Sequence, residues 1–85
     1  AGRTAETLLR DLAGDGRYSV VGLLDDNPAL KGARVRGVPV LGPISDLPYL
    51  AQETAPNLLV IAMPEASPGE MQRVVDLCDE TGLPF

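Results

Sequence analysis

The sequence predicts an α/β domain: a parallel β-sheet flanked by helices and short of its first strand. Three observations predict it. The apolar pattern alternates between helix-like and strand-like periods, as in successive βα units. The apolar residues are mostly Leu, Val, Ala and Ile, with only 4% aromatic residues, which suits a helix-covered parallel sheet better than an aromatic-rich sandwich. The first element is a helix with no strand before it, whereas a doubly wound sheet normally opens with its central strand.

Residues 4–13 form the first expected helix. Ala5, Leu8, Leu9 and Leu12 fall on one face at i, i+3, i+4 and i+7, and Gly14 and Gly16 stop it. Residues 18–24, Tyr-Ser-Val-Val-Gly-Leu-Leu, read as a buried strand. Asp25-Asp26-Asn27-Pro28 ends that strand in a turn, and 29–37 is a polar loop. Val38-Pro39-Val40-Leu41 is a short strand, placed at a sheet edge by Pro39. Ser45 is positioned to cap a short helix holding Leu47, Leu50 and Ala51.

Residues 58–63, Leu-Leu-Val-Ile-Ala-Met, are the most apolar run and the expected central strand. The last helix is the best signalled. Ser67 is its N-cap, Pro68 sits at N1 and Glu70 at N3 completes a capping box. Met71, Val74, Val75 and Cys78 line one face; Gly82 and Pro84 end the helix. Parallel strands joined by right-handed crossovers are the expected arrangement. Without a first strand, a gap falls between 18–24 and 58–63. It leads to one of three outcomes: direct pairing of those strands, dimerisation through unpaired edges, or a poorly packed core.

Composition narrows the function. At 85 residues the chain holds one domain. A net charge of −5 argues against nucleic-acid binding, which needs a basic patch. Lys31, Arg34 and Arg36 are the only local group of cations, either a solvated loop or a phosphate contact. A single Cys gives no internal disulfide, and with nothing basic flanking it Cys78 reads as core rather than a reactive thiol. The chain has no His, so Ser-His and Cys-His pairs are excluded within it, and the commonest zinc ligand is missing. No apolar run reaches the roughly 18–20 residues of a membrane span, and no signal peptide is visible. The chain begins Ala1-Gly2 and reads as excised from something longer.

Three stretches are candidates for binding. Gly2 and Ala5 fit the last two positions of the dinucleotide fingerprint G-x-G-x-x-G/A. Gly2 would let a pyrophosphate approach the backbone and Ala5 would let the helix pack close to the sheet; a frayed terminus is the other reading. Asp25, with Asp26 beside it, lies about 20 residues beyond the glycine, the spacing of a carboxylate that holds ribose hydroxyls. A turn that uses Asp and Asn only to start a loop explains the same residues. Met63, Pro64 and Ser67 join the expected central strand to the best-capped helix, where a phosphate or sugar hydroxyl would meet free N–H groups; a helix cap with no ligand is the alternative. No carboxylate pair has general acid–base spacing, and Tyr18 and Tyr49 are isolated.

Taken together, Tyr18-Ser-Val-Val-Gly-Leu-Leu-Asp-Asp-Asn-Pro28, Lys31-Gly32, Gly37-Val-Pro-Val-Leu-Gly42 and Asp46-Leu47 form a recognisable series. Val60-Ile-Ala-Met-Pro64 and Cys78-Asp-Glu-Thr-Gly-Leu-Pro-Phe85 continue it. Over nearly its whole length the chain resembles the N-terminal Rossmann-like, CoA-binding-like domain of the CapD-type polysaccharide biosynthesis proteins, membrane-anchored nucleoside-diphosphate-sugar epimerases and dehydratases. Similar domains precede polyprenyl-phosphate sugar transferases and open sugar O-acyltransferases; the ending from Ile61 to Phe85 favours the dehydratase type.

The resemblance implies a Rossmann-like fold whose first strand and first glycine lie before Ala1. It implies a bacterial nucleotide-sugar parent on the cytoplasmic side of the inner membrane, with this piece soluble. The 4,6-dehydratase or epimerase chemistry would belong to a following NAD(P)-dependent catalytic domain. The chain itself is expected to be a non-catalytic or regulatory module. NAD, NADP or a UDP-sugar would bind at Gly2, Ala5, Asp25, Asp26, Met63, Pro64 and Ser67. The rival expectation is a structural module that positions neighbouring domains and forms a homodimer.

Overall fold

The structure, a computed structural model, describes residues 3–85, without the Arg3 side chain. Its helices are α1 (Arg3–Asp15), α2 (Leu47–Thr54) and α3 (Pro68–Thr81), and its strands β1 (Leu23–Leu24), β2 (Arg34–Val35) and β3 (Val38–Gly42). Short 3₁₀ turns, Pro28–Leu30 and Ile44–Asp46, lead into β2 and α2. The class is α/β with a three-stranded sheet in the order β1-β3-β2. The sheet is mixed: β1 runs parallel to β3, and β2 antiparallel to it. The described residues form two packing units, one ending at Pro43 and one running Ile44–Phe85.

In the first unit the α1 stripe behaves as its spacing predicts. Ala5 and Leu9 are buried, and Leu8 and Leu12 are half-buried. The helix runs to Asp15 and stops before Gly16, whose φ of 79° an L-side chain rarely adopts. Val40 on β3 is the most enclosed side chain of this unit, 2% exposed.

The loop expected over 29–37 contains a hairpin. Val35 pairs with Val38 around Arg36-Gly37, both at positive φ (49° and 82°), as a two-residue turn of the I′ type requires. The strand expected over 18–24 shrinks to Leu23–Leu24, and β3 is the central strand rather than an edge. Pro39 explains the shortened strand. Val40 turns its backbone to the β2 side, where its N–H donates to the Ala33 carbonyl (2.9 Å) and its carbonyl accepts from Gly32 N–H (3.0 Å). Alternation then turns Pro39 toward β1. It has no N–H to donate there, and the β1 ladder begins only at Leu23↔Val40.

In the second unit α2 and α3 pack together, burying Leu47 and Ala51 on one and Val74 and Cys78 on the other. Ser45 does not cap α2. The chain enters through the 3₁₀ turn, so Ser45 lies inside that turn and Asp46 takes the cap position with no side-chain bond. Pro48 in the first turn removes one donor that would need a partner. The α3 expectations hold: Ser67 caps it, Glu70 closes the box, and Gly82 ends it at φ 72°.

The central strand expected at 58–63 does not form; the segment joins no ladder among the described residues. A strand needs a neighbour that returns its hydrogen bonds. Leu59 N–H donates to the Pro84 carbonyl (2.9 Å), and Pro84 has no N–H with which to continue the pairing.

Candidate functional site

The end of β1 carries the acidic candidates. Asp25 continues the parallel pair by one bond, its N–H donating to the Gly42 carbonyl at 2.9 Å. Its carboxylate then turns inward on the chain, with Oδ1 accepting from Asn27 N–H at 2.9 Å. Asn27 repeats the device two residues on, its Oδ1 accepting from Ala29 N–H at 3.0 Å and capping the turn at Pro28–Leu30. Both bonds are side-chain mimics of a backbone turn. Asp25 thus builds the loop and stands at the carboxyl end of a parallel strand. Asp26 beside it is exposed.

At the other candidate helix start, Ala5 lies on the buried face of α1. Gly2, its partner in the fingerprint, lies outside the described residues.

Met63, Pro64 and Ser67 belong to the second unit. The Met63 carbonyl accepts from Ala66 N–H (3.2 Å) across a turn through Pro64-Glu65. Ser67 Oγ accepts from Glu70 N–H (3.2 Å), and Glu70 Oε1 accepts from Ser67 N–H (3.4 Å). The Ser67 carbonyl accepts from Met71 N–H at 2.9 Å. The Ser67 N–H, its carbonyl and, as an acceptor, its hydroxyl oxygen are thereby engaged in starting α3. This is the arrangement of a helix cap, and a ligand would have to displace it.

Sequence reasoning passed over one concavity of the first unit. Leu9, Ala13, Tyr18, Val20, Arg36 and Val38 line an open depression of about 390 Å³. Among the described residues that line it, Arg36 alone is charged, held at the hairpin turn, and the Arg17 guanidinium lies 5.8 Å from the centre of the Tyr18 ring. The available signal was Arg36-Gly37 between two valines, which marks a two-residue turn. Of the other cations in that group, Arg34 donates from Nη1 to the Gly37 carbonyl at 3.0 Å and so braces the hairpin.

Cys78 is buried on α3 at 2% exposure. Burial pushes its thiol pKa up, and the neighbouring Asp79 charge adds to the shift. The thiol is therefore a core group rather than a nucleophile at neutral pH. Among the described residues no cluster of His, Cys, Asp or Glu has the grouping of a metal site. No described helix is long and apolar enough to cross a membrane.

No protein-family model, no curated protein and no solved structure matches this chain.

Proposed function

We propose that the chain is a Rossmann-like, non-catalytic nucleotide- or nucleotide-sugar-binding module of a bacterial polysaccharide-biosynthesis dehydratase or epimerase. The observation that carries this reading is the place of Asp25, a carboxylate one residue past β1 in the parallel pair β1/β3. Ligands of open α/β sheets gather beyond the carboxyl ends of parallel strands. A carboxylate there suits the paired hydroxyls of a ribose, and it can accept more than one hydrogen bond while holding its turn. NAD, NADP and UDP-sugars all present that diol. In this reading the chain supplies recognition, and the reaction and the NAD(P)-dependent chemistry belong to a following catalytic domain. The parent protein would sit at the cytoplasmic face of the inner membrane.

Calorimetric titration with NAD, NADP and UDP-N-acetylglucosamine tests it. Asp25→Asn keeps an acceptor for Asn27 N–H but loses the charge. The expected result is saturable binding of one ligand, weakened on the order of 10- to 100-fold in Asp25→Asn, the size of a hydrogen bond to a charged group. Equal affinity in both proteins would remove Asp25 from the site, and absence of any affinity would end the reading.

A structural module is the second reading. It is favoured by one observation, the exposed apolar side chains Leu58 and Val60 on a segment with no strand partner among the described residues.

A further inference from the structure

At one step of the chain the backbone is poised to attack a side chain. Asp15 is followed by Gly16, the only Asp-Gly or Asn-Gly pair in the sequence. A glycine nitrogen approaches the aspartyl carboxyl carbon without hindrance from a Cβ of its own. The other aspartates precede Leu, Asp, Asn or Glu. The surroundings leave the step open as well: Gly16 is exposed, at φ 79°, and a Cβ built on it would meet nothing within 4 Å. Asp15 is also the last residue of α1, where helices fray. Its backbone therefore leaves the helical conformation more readily than that of Asp11 or Asp76, which lie inside their helices.

Against this stands one clamp. Asp15 Oδ1 accepts from Arg17 Nε at 2.6 Å, and Oδ2 accepts from Arg17 Nη2 at 2.9 Å. Both oxygens are thus held by one planar fork. The Arg17 N–H adds a longer bond to Oδ1, at 3.3 Å. The guanidinium holds the Asp15 carboxyl below its usual range, and so keeps it ionised. Ionisation matters because ring closure must expel a carboxyl oxygen as water, and the carboxylate is a far poorer electrophile than the acid.

We propose that Asp15–Gly16 is a site of spontaneous succinimide formation and isoaspartate exchange, and that the Arg17 fork is what slows it in the folded chain. The reaction needs no co-reactant but water. The Gly16 nitrogen bonds to Asp15 Cγ; its proton and the carboxyl hydroxyl leave as water, closing a five-membered imide. Water then opens the ring. Addition at the side-chain carbonyl restores aspartate. Addition at the main-chain carbonyl gives isoaspartate, with the chain now running through Cβ and Cγ. That product inserts one carbon into the main chain between α1 and the segment that leads to β1. The site is independent of whether Asp25 binds a nucleotide.

Ageing the full chain in mildly acidic buffer, with isoaspartate followed by peptide mapping, tests this. Arg17→Gln removes the charge and the fork. Its far-ultraviolet circular dichroism should match the parent's, because the Arg17 side chain is 78% exposed. Isoaspartate should accumulate at Asp15 about 3- to 10-fold faster in Arg17→Gln, since each unit of carboxylate pKa changes the protonated fraction tenfold. Molar salt should speed the parent toward the variant's rate and leave the variant nearly unchanged, because an exposed ion pair is screened. A variant whose helix end is merely looser would keep its lead at high salt. Asp15→Glu, whose ring would need a sixth member, should show no isomer at this position. Equal rates in the parent and Arg17→Gln, a difference that salt does not touch, or an isomer that persists in Asp15→Glu would each overturn the proposal.

Discussion

Ser67 shows how one side chain can carry two readings. Its position at the start of α3 suits a phosphate, yet its oxygen and N–H are committed to Glu70. Ser67→Ala should therefore cost about 1 kcal/mol through the lost cap, seen as a fall in Tm of roughly 4–8 °C for a domain of this size. Ala55 ends α2 in the left-handed region at φ 49°, where a Cβ is unfavourable. Ala55→Gly should raise stability by up to about 1 kcal/mol in the same thermal scan. Gly22 is constrained from outside: a Cβ built there meets the Leu41 side chain, so Gly22→Ala should destabilise by about 1–3 kcal/mol as leucine is displaced. At Cys78 the sign follows from the raised pKa. Burial favours the neutral thiol in the folded chain, so its contribution to stability is complete below the unfolded thiol's pKa and is lost as pH rises through the folded one. A thiol reagent at neutral pH should label the native protein far more slowly than the denatured one.

Among the elements, helices were legible because their signals are local. The α1 stripe, the Ser67-Pro68…Glu70 start and the Gly82 stop all lie within one segment, and each forms as read. Strands were not, because a strand is completed by a neighbour elsewhere in the chain. The apolar run 58–63 has strand composition but no ladder among the described residues. The run 18–24 is cut to two residues by a proline on the facing strand. Pro39 was read as an edge marker, and it does mark missing pairing, but on one side and at one residue of a central strand. Pro39→Val should therefore allow the β1 ladder to extend toward Val21, with slower amide exchange at residues 20–22 as the readout.

For the whole molecule, the α/β class was legible from periodicity and composition, and the direction of β2 was not. It depends on Arg36-Gly37 making a tight turn inside what reads as a polar loop. The candidate residues divide in the same way. Asp25, proposed from its spacing, lies at the end of a parallel strand. The depression beside Tyr18 and Arg36 was invisible because its lining comes from a helix, an irregular segment and a hairpin that share no local pattern. Binding at Asp25 is the central functional claim. An amide chemical-shift titration with NAD, NADP, UDP-N-acetylglucosamine and coenzyme A tests it most directly. The account predicts saturable shifts for one of them, largest at Asp25 and the residues of its turn. A flat response from a folded chain, or shifts confined to residues remote from Asp25, would contradict it.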